Sequence, residues 1–396
     1  MWAVSADSNN NPIRTSFSMR GAILSTRAPG RVVKGTNPPV GPPTAARLGR
    51  VDRAWRLSRG GRARRIANVA RSVVLPRTPD AMPASDVPPP GQLVDVGGHR
   101  LHVWTRGSGS PAVLLEAGVA ASSLSWARVQ PAVASFTQVC AYDRAGLAWS
   151  DAASSPRTFA RILDDLAAVV AALGTGPWAA LGAGQRVILV GHSFGSLVVR
   201  GYAARHPEQV AGLVLVDPPM EWLDRAPPQA VLLRRAHQAS IIGAFLARIG
   251  VVRAALALLT GGHPGAPRAF VKLLGRRASG TLERLVGEVR KLPPELHPAV
   301  QAHWSQPKCF RAMADYLSVL QSEAAAMAAA VPPADIPVVV ISGAHQPAPE
   351  LAAHERLAAA SPHGRHVVAA RSGHWILLDE PELIVDAVRT VIAAGR

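Results

Sequence analysis

The stretch Arg186–Tyr202, RVILVGHSFGSLVVRGY, constrains this chain more than any other. Val187–Val190 is a short apolar β-branched run of the kind that forms a buried parallel strand, and Ser196–Tyr202 opens a helix-like segment. Between them lies Gly191-His192-Ser193-Phe194-Gly195, a G-x-S-x-G pentapeptide. A strand that turns straight into a helix forces its central residue into a strained backbone conformation. The positions two before and two after must then carry no side chain, and Gly191 and Gly195 meet that need. The expected result is a Ser193 hydroxyl held at the carboxyl end of a sheet, above the positive end of a helix. In a chain with 34 glycines the pentapeptide alone would pass for an ordinary βα loop; the strand before it and the helix after it carry the argument.

From Gln92 onward the chain alternates between strand and helix patterns. Leu93–Val96 and Leu101–Thr105 flank Gly97-Gly98 as a hairpin, and Ala112–Leu115 and Val139–Tyr142 are further strands. Thr158–Leu173 carries Ile162, Leu166, Val169, Val170 and Leu173 on one helical stripe. Beyond the central segment come a strand at Leu213–Val216, closed by Asp217-Pro218-Pro219, and later strands at Val338–Ile341 and His366–Ala369. Helices are expected near Pro349–Ala360 and over Pro381–Ala394. Such alternation predicts an α/β fold with a mostly parallel sheet covered by helices on both faces. Residues 220–333 interrupt it with helical periodicity alone, including Ile241, Ile242, Phe245, Leu246, Ile249, Val252, Leu256 and Leu259. They read as a helical cap inserted after strand six, over Ser193. The core is therefore 91–219 with 334–396, and the cap 220–333.

Residues 1–90 stand apart. They hold 15 of the 43 Arg and Lys against four of the 26 Asp and Glu, so most of the formal charge of +17 belongs to this Pro-, Gly- and Arg-rich extension. Arg50, Arg53, Arg56, Arg59, Arg62, Arg64 and Arg65 cluster around Trp55, and Gly60-Gly61 interrupts any helix. The expectation is an unstructured extension, with Met82 as an alternative start; an arm for polyanions or an import sequence are the other readings. Neither nucleic-acid binding nor a membrane span is expected, since no apolar run approaches the ~18 residues a span needs. The two cysteines, Cys140 and Cys309, have no metal-site spacing, and Cys140 sits within a strand pattern as a core residue. Gly174–Gly184 lacks the Gly-Lys-Ser/Thr ending of a phosphate loop and reads as a connection.

A serine hydroxyl is a poor nucleophile near neutrality and needs a base within reach and a third group to orient that base. His374, in Ser372-Gly373-His374-Trp375 after the last strand, is the candidate base; His192 is expected to pack or hydrogen-bond locally. Together Gly191–Gly195, Tyr142-Asp143-Arg144-Ala145-Gly146, Leu213–Pro218 and Ser372-Gly373-His374, in that pattern, resemble the α/β-hydrolase fold family, of the serine esterase, lipase and proline-iminopeptidase-like kind. The resemblance covers about Gln92–Arg396. It implies an eight-stranded sheet, no cofactor and a serine–acid–histidine triad in that chain order. It also implies an oxyanion hole made by the backbone N–H after the nucleophile, here Phe194, and one from the loop after strand three, here Val119.

The chain departs from that pattern at the acid. After strand seven many relatives have Gly-x-x-Asp, whereas this chain reads Gly343-Ala344-His345-Gln346, and glutamine cannot offset the charge of an imidazolium. Asp217, at the end of strand six, and Glu350, four residues past Gln346, are the two substitutes, with Asp217 preferred. Asp143 and Arg144 are read as a local ion pair fixing their loop. The reading is a cytoplasmic serine hydrolase that cleaves a carboxylic ester or related acyl bond of a small, hydrophobic substrate. Non-catalytic ligand binding and amide cleavage are the alternatives.

Overall fold

The structure, a computed structural model, describes residues 88–154, 156–173, 186–220, 227–260 and 289–395, all within one compact unit, Pro83–Arg396. The basic extension up to residue 87, the Gly174–Gly184 connection and residues 261–288 of the insertion lie outside the described residues.

Eight strands form one sheet: β1 (Gln92–Asp95), β2 (Arg100–Arg106), β3 (Val113–Glu116), β4 (Val139–Tyr142), β5 (Val187–His192), β6 (Val210–Val216), β7 (Val338–Gly343) and β8 (Arg365–Ala369). Their order is β1-β2-β4-β3-β5-β6-β7-β8. The β1–β2 and β2–β4 pairs are antiparallel and every other pair is parallel. The central strands β3 to β7 are buried along nearly their whole length, which is why they read as continuous Val/Leu/Ile runs rather than as alternating patterns. Helices Phe159–Leu173 and Phe194–Arg205 close one face of the sheet, and Gln130–Ala134 and Pro381–Ala394 close the other. The sequence patterns locate all eight strands; they miss the short helices Gln130–Ala134 and Ile376–Asp379, which are too brief to show a period.

Register determines what meets at the carboxyl edge. Glu116 of β3 pairs with Gly191 of β5, His192 pairs with Val216 of β6, and Val216 pairs with Ile341 of β7. Ser193 and Asp217 thus leave the sheet side by side, each one residue past an aligned pair, and the loop after β3 leaves it on the other side of Ser193.

The described part of the insertion is helical, with Pro227–Arg248, Val251–Thr260, His297–Trp304, Pro307–Ser322 and Ala324–Ala329. Its burial differs from the apolar stripe of the sequence: Ile241, Ile242, Phe245 and Ile249 are exposed, whereas Ala244 and Ala247 are buried. The reason is close packing through small residues. A Cβ at Gly243 would collide with the ring of Phe310 on the Pro307–Ser322 helix, so that face can carry only small side chains and the bulky ones lie outside the contact. Among the described residues no helix is long and apolar enough to cross a membrane.

Candidate active site

Ser193 sits at φ +54°, ψ −122°, between β5 and the Phe194–Arg205 helix. The neighbouring glycines are there for space. A Cβ at Gly191 would lie 2.6 Å from the carbonyl oxygen of Gly195, and one at Gly195 would lie 2.7 Å from that of Ala117. The Ser193 N–H donates to the Val216 carbonyl at 2.8 Å and its own carbonyl accepts from Ser196 N–H at 2.9 Å, which holds the strained turn in place. Phe194 is the first residue of its helix, so its N–H has no acceptor within that helix.

Three non-glycine residues among those described have positive φ: Ala148, Ser193 and Asp217, the last at +47°. Asp217 turns out of β6 in this conformation and its carboxylate collects three donors. His374 Nδ1 lies 2.7 Å from Oδ2, Gln346 Nε2 donates to the same oxygen at 2.6 Å, and the Gly343 N–H donates to Oδ1 at 3.0 Å. Burial pushes this carboxyl up, but the His374 and Gly343 hydrogen bonds and the nearby histidine charge outweigh it and leave it below the ordinary range.

His192, the residue before Ser193, packs against His374. The His192 imidazole lies 4.7 Å from that of His374, centroid to centroid, and its Nε2 donates to the His374 carbonyl at 2.8 Å. His192 thus makes a contact 182 residues away, not the local one expected. Burial, and then the neighbouring His374, lowers its pKa to about 3, so it stays a neutral N–H donor that anchors the His374 backbone.

Glu350 is engaged elsewhere, because the helix it opens aims it at the chain just past Asp217. Its Oε1 accepts the Met220 N–H at 2.7 Å and lies 3.3 Å from His354 Nε2, and that nitrogen in turn contacts the Pro218 carbonyl at 2.6 Å. The nitrogen of His374 that the sequence offered to either acid is on Asp217. Gln346, which the sequence shows only in the place of an acid, hydrogen-bonds the carboxylate itself; no spacing signal could have paired residues 129 apart.

The loop after β3 carries Val119 past Ser193: a Cβ at Gly118 would lie 3.6 Å from Ser193 Cβ. Asp143 and Arg144 are both buried, but they do not pair with each other as expected. Asp143 accepts from Ser123 N–H at 2.7 Å and lies 2.8 Å from His102 Nδ1, while Arg144 pairs with Glu116. Burial pushes Glu116 up against the opposing pull of Arg144 and a hydrogen bond from Tyr142. At Ala120 opens a small cleft lined also by Leu147, Val300, His303, Phe310 and Met313, among others; Ser193 and His374 are not in its wall. Cys140 is buried in the sheet and burial raises its thiol to about 12. Among the described residues no group of three or more His, Cys, Asp and Glu side chains is disposed to hold a metal ion.

Comparison with known proteins agrees with this architecture. A haloalkane dehalogenase from Sphingobium indicum is 32% identical over 140 residues, 34% of this chain and 44% of that protein, so the chain spans less than half of this curated relative. An ancestral haloalkane dehalogenase of known structure superposes with a TM-score of 0.54 at 21% identity, over 77% of this chain and 99% of the other. An epoxide hydrolase solved without ligand gives 0.51 at 19%, over 77% and 99%. These two structural likenesses are likenesses of fold. A family model described as alpha/beta hydrolase fold matches residues 111–381, well over half of the sequence, and the chain belongs to that family.

Proposed function

We propose that the protein is a serine hydrolase that cleaves a carboxylic ester or related acyl bond through an acyl-enzyme. The observation that carries this reading is the 2.7 Å contact between His374 Nδ1 and Asp217 Oδ2 beside a serine held at positive φ. In the proposed cycle His374 Nε2 takes the Ser193 proton as Oγ attacks the carbonyl carbon. Asp217 holds the ring and stabilises the imidazolium, and the backbone N–H groups of Phe194 and Val119 receive the oxyanion. The proton then passes to the departing alkoxide. Water, deprotonated by the same histidine, attacks the acyl-enzyme and releases the acid and free Ser193.

The nucleophile's identity narrows the substrate. A serine hydroxyl that displaced halide or opened an epoxide would be left as an ether, with no carbonyl for water to attack, so the names of the relatives do not transfer to this site. Acyl compounds give an intermediate the same machinery can hydrolyse. Against non-catalytic ligand binding, the 2.7 Å contact of Asp217 with His374 supports an acid supplied from β6 in place of one after β7.

Incubation of the full chain with a fluorophosphonate probe should label it, and Ser193→Ala should abolish labelling. With a graded series of p-nitrophenyl acyl esters, Asp217→Asn should lower kcat by about 10⁴, the cost of a histidine held in the wrong tautomer. Labelling that persists in Ser193→Ala, or turnover unchanged in Asp217→Asn, would overturn the reading.

A further inference from the structure

Arg144 is spent on the loop after β3 in a way that an ion pair does not require. Its Nη1 donates to Glu116 and, at 2.6 Å, to the carbonyl of Ala117; its Nη2 donates to the carbonyl of Gly118. Glu116 also accepts the hydroxyl of Tyr142, so the carboxylate is tied from two sides and is itself fully buried. A guanidinium is a rigid planar fork, and fixing two successive carbonyls with it fixes the two peptide planes that follow them.

The second of those planes matters most. The Gly118 carbonyl and the Val119 N–H belong to one peptide group, and the only cis bond among the described residues is Ser110-Pro111. In a trans peptide the C=O and N–H point in opposite directions. Drawing the Gly118 oxygen toward Arg144 therefore turns the Val119 N–H away from it. Ser193 lies against this same loop, its Cβ 3.6 Å from where a Cβ at Gly118 would stand. Arg144 also packs against the helix that follows Ser193. Its guanidinium carbon lies 5.3 Å from the ring centroid of Phe194 and 4.9 Å from that of Tyr316 in the insertion. Tyr316 closes the arrangement by donating its hydroxyl to the Ala145 carbonyl at 2.9 Å.

We propose that Arg144 is a positioning residue for the oxyanion hole, a clamp that aims the Val119 N–H through the Gly118 carbonyl and steadies Phe194 through its ring. It touches no reacting atom. The inference rests on the serine-hydrolase reading and deepens it, because it names what sets the Val119 oxyanion donor. It also accounts for a glutamate at position 116, one residue before the loop: the acid holds the cation that shapes that loop.

The test compares a p-nitrophenyl ester with its thionoester, in which sulfur, a weak hydrogen-bond acceptor, takes the place of the oxyanion oxygen. Arg144→Met alone would bury an unpaired Glu116, so the informative variant is Arg144→Met with Glu116→Gln, which removes both charges. With the fold intact, it should lower kcat for the oxygen ester by about 10²-fold, the loss expected for one donor, with KM within about threefold. Its oxygen-to-sulfur rate ratio should shrink by a similar factor. Arg144→Lys, which keeps the charge but not the fork, should show the same narrowing to a smaller degree and serves if the double variant does not fold. Retained kcat, or a lost kcat with the ratio unchanged, overturns the clamp alone. A wild-type chain with no Ser193-dependent turnover overturns the clamp together with the reading beneath it.

Discussion

At the scale of single residues, the site is made from conformations and contacts that a sequence does not print. Ser193 was legible because its strain has a chemical signature, two glycines at fixed offsets. Asp217 carries the same kind of strain, φ +47°, with no such signature beyond the strand before it and the prolines after it. Gln346 was read as the absence of an acid, yet it donates to Asp217 Oδ2 at 2.6 Å. That contact yields a sharp prediction for Gln346→Glu. Two carboxylates at this separation cannot both ionise, so the pair should hold a proton at pH values where Asp217 alone is fully charged. Asp217 sits below the ordinary carboxylate range, so the acidic limb of the wild-type kcat/KM profile contains no Asp217 titration near neutrality. In Gln346→Glu the limb should move to higher pH and kcat should fall at pH 6 more than at pH 8. In Gln346→Ala, which only removes a donor, kcat should fall about tenfold or less without moving the limb. A Gln346→Glu profile that overlays the wild type would show that the side chain does not govern the acid.

At the scale of elements, the sheet was the legible part, since strands buried on both faces must be continuous apolar runs and β5, which runs into Ser193, fixes where they end. The insertion was legible as helix but not as surface. Periodicity finds a stripe, and only the partner decides which stripe is covered; here Gly243 against Phe310 selected the small-residue face. The junction between β3 and the Phe194–Arg205 helix is as tight. A methyl group at Gly195 would run into the carbonyl oxygens of both Glu116 and Ala117, backbone atoms that cannot rotate away. Gly195→Ala should therefore either separate the helix from the β3 loop or strain both, costing on the order of 2 kcal/mol. A thermal melt should show the midpoint several degrees lower. Because the same shift carries Phe194 away from the loop that holds Val119, ester turnover should fall by more than the unfolded fraction explains. Equal losses of stability and activity would mean that the junction is scaffold only.

At the scale of the whole molecule, acid stability should reveal which histidines the fold keeps neutral. Burial lowers His192 to about 3 and His303 to about 4, whereas an unfolded histidine titrates near ~6.5. Between those values the unfolded chain binds protons that the folded chain refuses, so unfolding free energy rises with pH in that interval and falls as the solution is acidified through it. The carboxylates act lower. Asp143 and Asp217 are both held below their ordinary range despite their burial, so their contribution is complete above ~4 and is lost only as pH drops through their folded values. Two windows follow, a histidine window from ~6.5 down to about 4 for His303 and about 3 for His192, and a carboxylate window below ~4 that overlaps its acid end. His303 isolates the first, because it stands outside the Ser193, His374 and Asp217 group and rests edge-on against Trp149 at 4.3 Å, a packing role that phenylalanine can fill. In urea titrations of the full chain the wild-type midpoint should drop between pH 7 and pH 4.5, and His303→Phe should recover on the order of 2 kcal/mol of that drop. Self-repulsion of a chain with a formal charge of +17 also grows on acidification, but the substitution changes a single proton site and leaves that background nearly untouched, so the difference between the two titrations reads His303 itself. A His303→Phe chain that loses as much stability as the wild type over this interval would mean that the imidazole takes up its proton in the folded state.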